Sequence, residues 1–186
     1  RTLMVDAWAN DQARVLLDLV HGIYNYDGKV IWASVRVEDD RTITGWRQTR
    51  GWARTRLVYF ALQFSRPFRA YGCQMDDAAP YRDFYRKWDQ TRGFPDLAGR
   101  KLRLWFEFDM TADPVVLAKV ALSGTGTDGA LANLSAEAPG WDFDGARRAG
   151  AARWDEELGR FDLDAEPARR TAFATAVYHA LLSPVV

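Results

Sequence analysis

The sequence predicts a mainly β protein, an antiparallel β-sandwich followed by α-helices. Up to Ser123, apolar residues alternate with a period near two, as on strands with one buried face. After this point they recur every three or four residues, as on helices. Six or seven strand-like runs are joined by turn sequences without helical crossovers, which is typical of antiparallel sandwiches.

The first part of the chain contains one buried strand and a hairpin signal. Residues 1–11 show no clear period, whereas residues 13–20 form an apolar run that only Asp18 interrupts. Asp27-Gly28 is the strongest short signal for a hairpin, because both residues tolerate positive φ. We therefore expect the first strand at residues 13–20, with a tight turn after it.

The following strands are predicted from alternation and from the breaks between them. They cover residues 29–38, 41–48, 54–65, 68–73, 100–109 and 115–123. Alternate residues of the first of these runs provide a face for the core: Ile31, Ala33, Val35 and Val37. Pro67 ends the third run because proline cannot donate to a strand ladder. Residues 76–99 are polar and contain Pro80 and Pro95, which predicts a long excursion.

Helical segments are expected after residue 123. Residues 130–137 suit a short helix. Asp142 or Asp144 can cap the next helix by accepting hydrogen bonds from free N–H groups of its first turn. The last helix starts at Pro167, since proline is tolerated in a first turn, and Pro184 closes it. Apolar stripes follow the helical period: Phe143, Ala146, Ala149, Ala152 and Leu158, then Phe173, Ala176, Val177, Ala180 and Leu181.

Composition argues against several classes of protein. The chain has 25 basic and 25 acidic residues, and its arginine-rich segments are interleaved with Asp and Glu, so nothing directs it to nucleic acid or an anionic membrane. No apolar run approaches the ~20 residues that a membrane span requires. The chain starts without Met and stops within apolar sequence, so we expect a segment of a longer protein.

Cysteine and aromatic residues both suit a packed core. Cys73 is the one cysteine of the sequence, so an intrachain disulfide is impossible and the redox compartment stays open. A lone cysteine without a histidine base is most often a small core residue. The eight Trp, ten Phe and seven Tyr suit a large β-core first and sugar stacking second.

The residues with acid–base or metal-binding chemistry form no familiar arrangement. His21 and His179 are far apart in the sequence and outside any metal-binding spacing, so a structural role is favoured for both. Asp142 and Asp144 could act as paired carboxylates, but their position before a helix favours capping. The sequence shows no Ser-His-Asp arrangement.

Two further features admit a binding role. The turn at residues 124–129 (GTGTDG) resembles a phosphate loop, but it lacks the Gly-Lys-Ser/Thr ending and no strong helix is expected after it. Trp32, Trp46 and Trp52 could present a face for stacking sugars, although plain packing is favoured.

Several blocks of the sequence together resemble one enzyme family. They are residues 119–144 (KVALSGTGTDGALANLSAEAPGWDFD) with 154–158 (WDEEL), and LLDLVHGIYNYDGKVIWASVRVE, GWRQTRGWARTRLVYFALQFSRPF, YRDFYRKWDQT and FATAVYHALLSP. In this order they resemble the N-terminal domain and linker of glycoside hydrolase family 92 α-mannosidases. The resemblance covers residues 13–184, and residues 1–11 fit it poorly. Several separated blocks in the right order are more specific than a single motif.

The resemblance implies a fold and a reaction. The fold is a galactose-mutarotase-like supersandwich joined through linker helices to an (α/α)6 barrel. Residues 1–123 are then the N-terminal sandwich domain, partial at its start, and residues 124–186 the helical linker and the beginning of the catalytic domain. The implied enzymes are calcium-dependent exo-α-mannosidases, here of the α-1,2-mannosidase type, which remove terminal mannose from N-glycan or mannan chains with inversion.

The same resemblance places the reacting groups outside this chain. The catalytic carboxylates and the calcium ligands of the family belong to the barrel, so we assign no catalytic, cofactor-binding or metal-binding residue here. The implied partners are mannose-containing glycans and the downstream catalytic domain, without nucleic acid or a membrane span. The implied location is periplasmic or extracellular. The parent protein is expected to be an enzyme, and the chain alone to be inactive.

A non-catalytic reading stays open beside this one. The chain also suits a carbohydrate-binding or structural β-sandwich module without a catalytic partner. In either case we expect the apolar stripe of the last helix to be incompletely covered, so that the isolated chain associates.

Overall fold

The computed structural model describes residues 2–6, 12–22, 26–75, 81–82 and 96–182. Its strands are β1 (Thr2–Asp6), β2 (Gln12–Asp18), β3 (Val30–Val37), β4 (Thr42–Thr49), β5 (Arg56–Phe64), β6 (Ala70–Met75), β7 (Tyr81–Arg82), β8 (Asp96–Gly99), β9 (Leu102–Asp109) and β10 (Val115–Ser123). Its helices are α1 (Thr127–Glu137), α2 (Phe143–Gly159) and α3 (Pro167–Leu182).

The described strands form two antiparallel sheets. The larger sheet has six strands in the order β1-β10-β5-β4-β3-β8, and the smaller has four in the order β2-β9-β6-β7. All pairings between these strands are antiparallel. Side chains from both sheets fill one shared core. The predicted antiparallel β-sandwich followed by helices is therefore confirmed.

Three short strands at sheet edges were not predicted. β1 and β8 are the two edges of the larger sheet, and β7 is an edge of the smaller one. Strands of two to five residues are too short to show an alternating pattern, and each pairs on one side alone. The long excursion predicted at residues 76–99 contains two short strands, β7 and β8. Residues 76–80 and 83–95 are outside the described part.

The hairpin signal at Asp27-Gly28 is confirmed. Gly28 has φ of +76°, a conformation that a residue without Cβ adopts without strain. The N–H of Lys29 donates to the carbonyl of Tyr26 across this turn (3.1 Å). Tyr24 and Asn25, which precede it, lie outside the described residues.

The core is organised around Phe64 of β5. This side chain is fully buried, and its ring centroid lies 4.9 Å from that of Phe108 and 5.4 Å from that of Phe106. Both partners belong to β9 of the opposite sheet. Phe68 completes the cluster, with its ring centroid 5.1 Å from that of Phe106. Tilted and edge-to-face arrangements are the favourable ones for aromatic rings, so these contacts join the two sheets.

The predicted core face of β3 is correct except at its first position. Ala33, Val35 and Val37 are buried, whereas Ile31 is half-buried and Val30 is buried in its place. The cause is an irregularity in the β3–β4 pairing between Val30 and Trp32, which shifts the register there.

Two glycines leave room for aromatic rings from neighbouring strands. Gly45 of β4 pairs with Phe60 of β5, and a Cβ at Gly45 would clash with the backbone carbonyl of Ser34 and lie 2.7 Å from the Phe60 ring. Gly72 of β6 pairs with Trp105 of β9, and the Trp105 ring likewise occupies the space of a Cβ. Any side chain at these positions would displace the ring.

Helix α1 covers part of the outer face of the larger sheet. Ala130 and Leu134 of the helix pack on Ala61 of β5, and all three are buried. α1 starts at Thr127, three residues before the predicted start at residue 130. The compact unit that contains the sandwich extends through α1 to Trp141. The predicted division after residue 123 stays a prediction.

The second compact unit, Asp142–Val186, contains α2 and α3. The two helices meet where the rings of Trp154 and Tyr178 lie edge to face, with centroids 4.7 Å apart. No residue of either helix is buried, and Leu181 and Leu182 are 39% and 53% exposed. The apolar stripe of α3 is therefore open, as expected, and the association of the chain stays a prediction. None of the helices in the described residues is long and apolar enough to cross a membrane.

We expect Phe64→Ala to destabilise the chain by about 3–5 kcal/mol, because it leaves a cavity between the two sheets. The measurement is urea unfolding followed by far-UV circular dichroism. Trp52→Ala is the matched control, since Trp52 is fully exposed, and it should change stability by less than about 0.5 kcal/mol. Equal losses in the two variants would contradict the central role of Phe64.

Candidate functional site

The structure does not bring the two histidines into a metal site. His21 follows β2 and is exposed, and its backbone N–H donates to the Asp18 carboxylate (3.1 Å). His179 lies in α3 with its ring centroid 5.7 Å from that of Tyr178. Among the residues that the structure describes, no group of three or more His, Cys, Asp or Glu side chains could hold a metal ion.

The carboxylates before α2 have structural partners. Asp142 is the N-cap of α2 and accepts from the N–H of Gly145 (2.7 Å), which confirms the predicted cap. Asp144, in the first turn, lies 3.5 Å from the guanidinium of Arg147. A carboxylate in the first turn is also favourable because of the helix dipole. These contacts support capping rather than acid–base chemistry.

The glycine-rich turn leads directly into a helix. α1 starts at Thr127, within the GTGTDG segment, so the expectation that no strong helix follows is wrong. Ser123 and Thr125 are joined by a hydrogen bond between their hydroxyl groups (3.0 Å), and the Asn133 amide donates to the carbonyl of Leu122 (2.8 Å). These bonds fix the turn against β10. The turn still lacks the lysine that a phosphate loop uses.

Two of the three tryptophans proposed for sugar stacking share one surface. Trp32 and Trp46 lie on neighbouring strands, diagonally across the outer face of the larger sheet, and Tyr59 is directly opposite Trp46 on the next strand. Trp32 is 40% exposed and Trp46 is half-buried. Trp52 lies instead in the turn after β4. The structure thus joins Trp32 and Trp46 in one aromatic row and leaves Trp52 out of it.

A buried carboxylate lies on the outer face of the smaller sheet. Glu107 is 2% exposed, and its carboxylate oxygens lie 2.6 Å from the Arg14 guanidinium and 3.7 Å from that of Arg69. Two guanidinium groups stabilise the ionised form of a carboxylate. Glu107 is therefore held in place by ion pairs with arginines of neighbouring segments.

Asp18 fixes the turn that follows β2. Burial by itself would raise the pKa of Asp18, but hydrogen bonds from the backbone N–H groups of Val20 and His21, together with the charge of Arg103, lower it. The Val20 bond is 2.7 Å long, and the Arg103 guanidinium lies 3.5 Å from the second carboxylate oxygen. The Asp18 carboxylate therefore has a structural role in this turn.

The junction between strands and helices depends on Lys119, which the sequence analysis missed. Lys119 is 4% exposed on the outer face of β10, and its ammonium group donates to the carbonyl of Ala138, the C-cap of α1 (2.8 Å). The same group lies 4.1 Å from the ring centroid of Trp141. Burial lowers the pKa of Lys119. A lysine inside the apolar run of residues 115–123 is the signal that could have identified it.

Cys73 is confirmed as a buried core residue.

Two successive segments of the chain match the two domains of one protein family. Residues 6–123 match the N-terminal domain of glycosyl hydrolase family 92, and residues 129–186 match the catalytic domain of the same family. No curated protein sequence matches the chain.

Solved structures agree over the whole chain. The family GH92 alpha-mannosidase BT3965 from Bacteroides thetaiotaomicron superposes with a TM-score of 0.82 at 30% identity, covering 100% of this chain and 24% of that one. The family GH92 inverting mannosidase BT2199 from Bacteroides thetaiotaomicron VPI-5482 gives a TM-score of 0.78 at 20% identity, covering 98% and 23%, and shows a shared fold. This chain thus spans about a quarter of the length of these proteins.

We expect Lys119→Met to loosen α1, because the hydrogen bond to Ala138 and the contact with Trp141 are both lost. The free energy that protects the α1 amides from exchange should fall by about 1–2 kcal/mol, because removing the buried charge offsets part of the lost contacts. Hydrogen exchange of the α1 amides measures it, with Lys101→Met as the control at an exposed lysine. Unchanged exchange in α1 would show that Lys119 does not hold the helix.

Asp18→Asn should lower the free energy of unfolding by on the order of 1 kcal/mol at pH 7, because Arg103 then faces a neutral amide instead of a carboxylate. The pKa of Asp18 is lowered in the folded chain, so its contribution is present above the ordinary pKa of 3.8 and is lost as the pH falls through the folded value. Urea unfolding at pH 7 and pH 2.5 should show a smaller difference between wild type and variant in acid. Asp27→Asn, an exposed turn carboxylate, is the control, and a difference independent of pH would refute the assignment.

Proposed function

The chain belongs to glycosyl hydrolase family 92, and on this basis we propose that it is the sandwich and linker part of an enzyme that removes terminal α-linked mannose from glycans. The observation that carries the proposal is the match over the full chain, at 30% identity, to a family GH92 alpha-mannosidase. Because this chain spans about a quarter of that protein, the activity is proposed for the longer protein.

We propose that the reaction is inverting hydrolysis at α-1,2-linked mannose. Inversion requires one carboxylic acid on the leaving oxygen and one carboxylate on a water molecule, about 6.5–9.5 Å apart. Asp142 caps a helix, Asp18 fixes a turn and Glu107 is held between two arginines. These three carboxylates have structural roles, and the family resemblance implies that the reacting pair belongs to the catalytic barrel.

Calcium is part of this proposal only because the family resemblance implies it. No group of three or more potential ligands is present among the described residues, so these residues do not fit a calcium site and no step is derived through the ion. The role of this chain is then to provide the sandwich and to hold the linker, where Lys119 fixes the C-terminal end of α1 and Asp142 caps α2. An exported location, periplasmic or extracellular, is proposed on the resemblance alone.

A second candidate function is a non-catalytic carbohydrate-binding module. The row formed by Trp32, Trp46 and Tyr59 on an outer sheet face favours it, since aromatic rings stack on sugars. Binding of mannan by this chain, weakened at least tenfold in Trp32→Ala, would support the module. Binding unchanged in this variant would remove the reason for considering it.

We expect a protein that extends this chain by a complete family 92 catalytic domain to release mannose from α-1,2-mannobiose, and the 186-residue chain to release none. Product released per minute is measured by anion-exchange chromatography, with α-1,3- and α-1,6-mannobiose as linkage controls. EDTA should abolish turnover and added calcium should restore it. Full turnover after exhaustive chelation would contradict the calcium requirement, and no mannose from any of the three substrates would contradict the function.

A further inference from the structure

One end of the sandwich contains an open cleft of about 820 Å³. Its polar lining comes from three segments: the turn at residues 26–29, Arg50 at the end of β4, and the turn at residues 100–101 between β8 and β9. Val20, just after β2, completes the wall. All of these residues belong to the compact unit that contains the sandwich.

The pairing of the strands explains why these segments meet. The N–H of Arg50 donates to the carbonyl of Lys29 (2.8 Å), which closes the β3–β4 pair at this end. Gly99 pairs with Ala33, so the turn after β8 lies beside the start of β3. The N–H of Leu19 donates to the carbonyl of Leu102 (3.0 Å), which brings the end of β2 next to the same turn.

The cleft collects positive charge in a chain whose net charge is zero. Four cations line it, Lys29, Arg50, Arg100 and Lys101, against the single carboxylate of Asp27. Arg47 lies nearby, where its guanidinium donates to the carbonyl of Val20 (3.1 Å) and interacts with the charge of Asp18. The Nε of Arg47 is buried and has no hydrogen-bond partner within the described residues.

Several arginines elsewhere in the sandwich have carboxylate partners. Arg66 lies 2.8 Å from Asp113, Arg14 lies 2.6 Å from Glu107, and Arg103 lies 3.5 Å from Asp18. No ion pair formed within the described ranges includes Arg50, Arg100 or Lys101. Neighbouring cations repel one another, and a bound anion relieves that repulsion.

We propose that this cleft is an anion-binding site, which takes a phosphate or carboxylate group carried by a glycan. Guanidinium groups bind both oxyanions with two parallel hydrogen bonds, and the lysines add point charges. The Tyr26 side chain, 52% exposed at the cleft, provides an aromatic surface for the attached sugar. The glycan part of this inference rests on the proposed function, whereas the anion part rests on the cleft alone.

The test is a titration of the ¹⁵N-labelled 186-residue chain, followed by amide chemical shifts at low salt. The probes are mannose 6-phosphate, glucuronate, inorganic phosphate and methyl α-mannoside. We expect one of the two sugar anions to bind with a dissociation constant near ~1 mM and to shift amides at residues 26–31, 50 and 100–101. The anion that binds more tightly identifies the group as phosphate or carboxylate.

The variant Arg50→Gln/Arg100→Gln/Lys101→Gln should weaken this binding at least tenfold. The matched control Arg147→Gln/Arg148→Gln/Arg153→Gln removes the same charge from α2 and should stay within twofold of the wild type. Lys101→Glu alone, in an exposed turn, should weaken binding at least threefold and gives a second test that does not depend on how the triple variant folds.

Three results would overturn the inference. They are the absence of binding by both sugar anions, equal binding by methyl α-mannoside, and binding that survives in the triple variant. Equal affinity for inorganic phosphate and mannose 6-phosphate would overturn the glycan part. None of these measurements uses mannose release, so they fail or succeed independently of the proposed enzyme activity.

Discussion

The contact of Phe64 with Phe106 and Phe108 is the interaction on which the rest of the structure depends. It joins β5, an inner strand of the larger sheet, to β9, an inner strand of the smaller sheet, and the surrounding core is continuous with it. Because strand side chains alternate, fixing this inner face also fixes which residues face outward. The outer positions of β5 and β10 then become the surface on which α1 is built, through Ala61 and Lys119.

Lys119 shows how a strand can hold a helix without a large apolar contact. The helix ends with free carbonyl groups and the negative end of its dipole, and a buried ammonium group satisfies both. The lowered pKa of Lys119 shows that burial penalises its charge. The hydrogen bond to Ala138 and the ring of Trp141 offset this penalty. The linker therefore starts from a position fixed by the sandwich.

The sequence was sufficient to predict the features that depend on a repeating pattern of residues or on residues close together in the chain. The long strands β3, β5 and β9 could be predicted because alternation over eight or nine residues is a clear signal, and the Asp142 cap because it depends on neighbouring residues. β8 was missed because four residues carry no period. The first turn of α1 was missed because Gly and Thr are weak helix formers. Packing on Ala61 stabilises that helix, and such a contact is not visible in sequence.

Charge neutralisation separates the structural part of this chain from its candidate binding surface. Arginines hold Glu107 in place, and backbone donors together with Arg103 hold Asp18 and lower its pKa despite its burial. The cations of the cleft are the opposite case. Strand pairing brings these cations together from distant positions in the sequence, so no local sequence motif predicts the cleft. Within the described residues, Arg50 and Arg100 form no ion pair with a carboxylate. Among the described residues, a cleft that gathers four cations around one carboxylate is best explained by a ligand that brings negative charge with it.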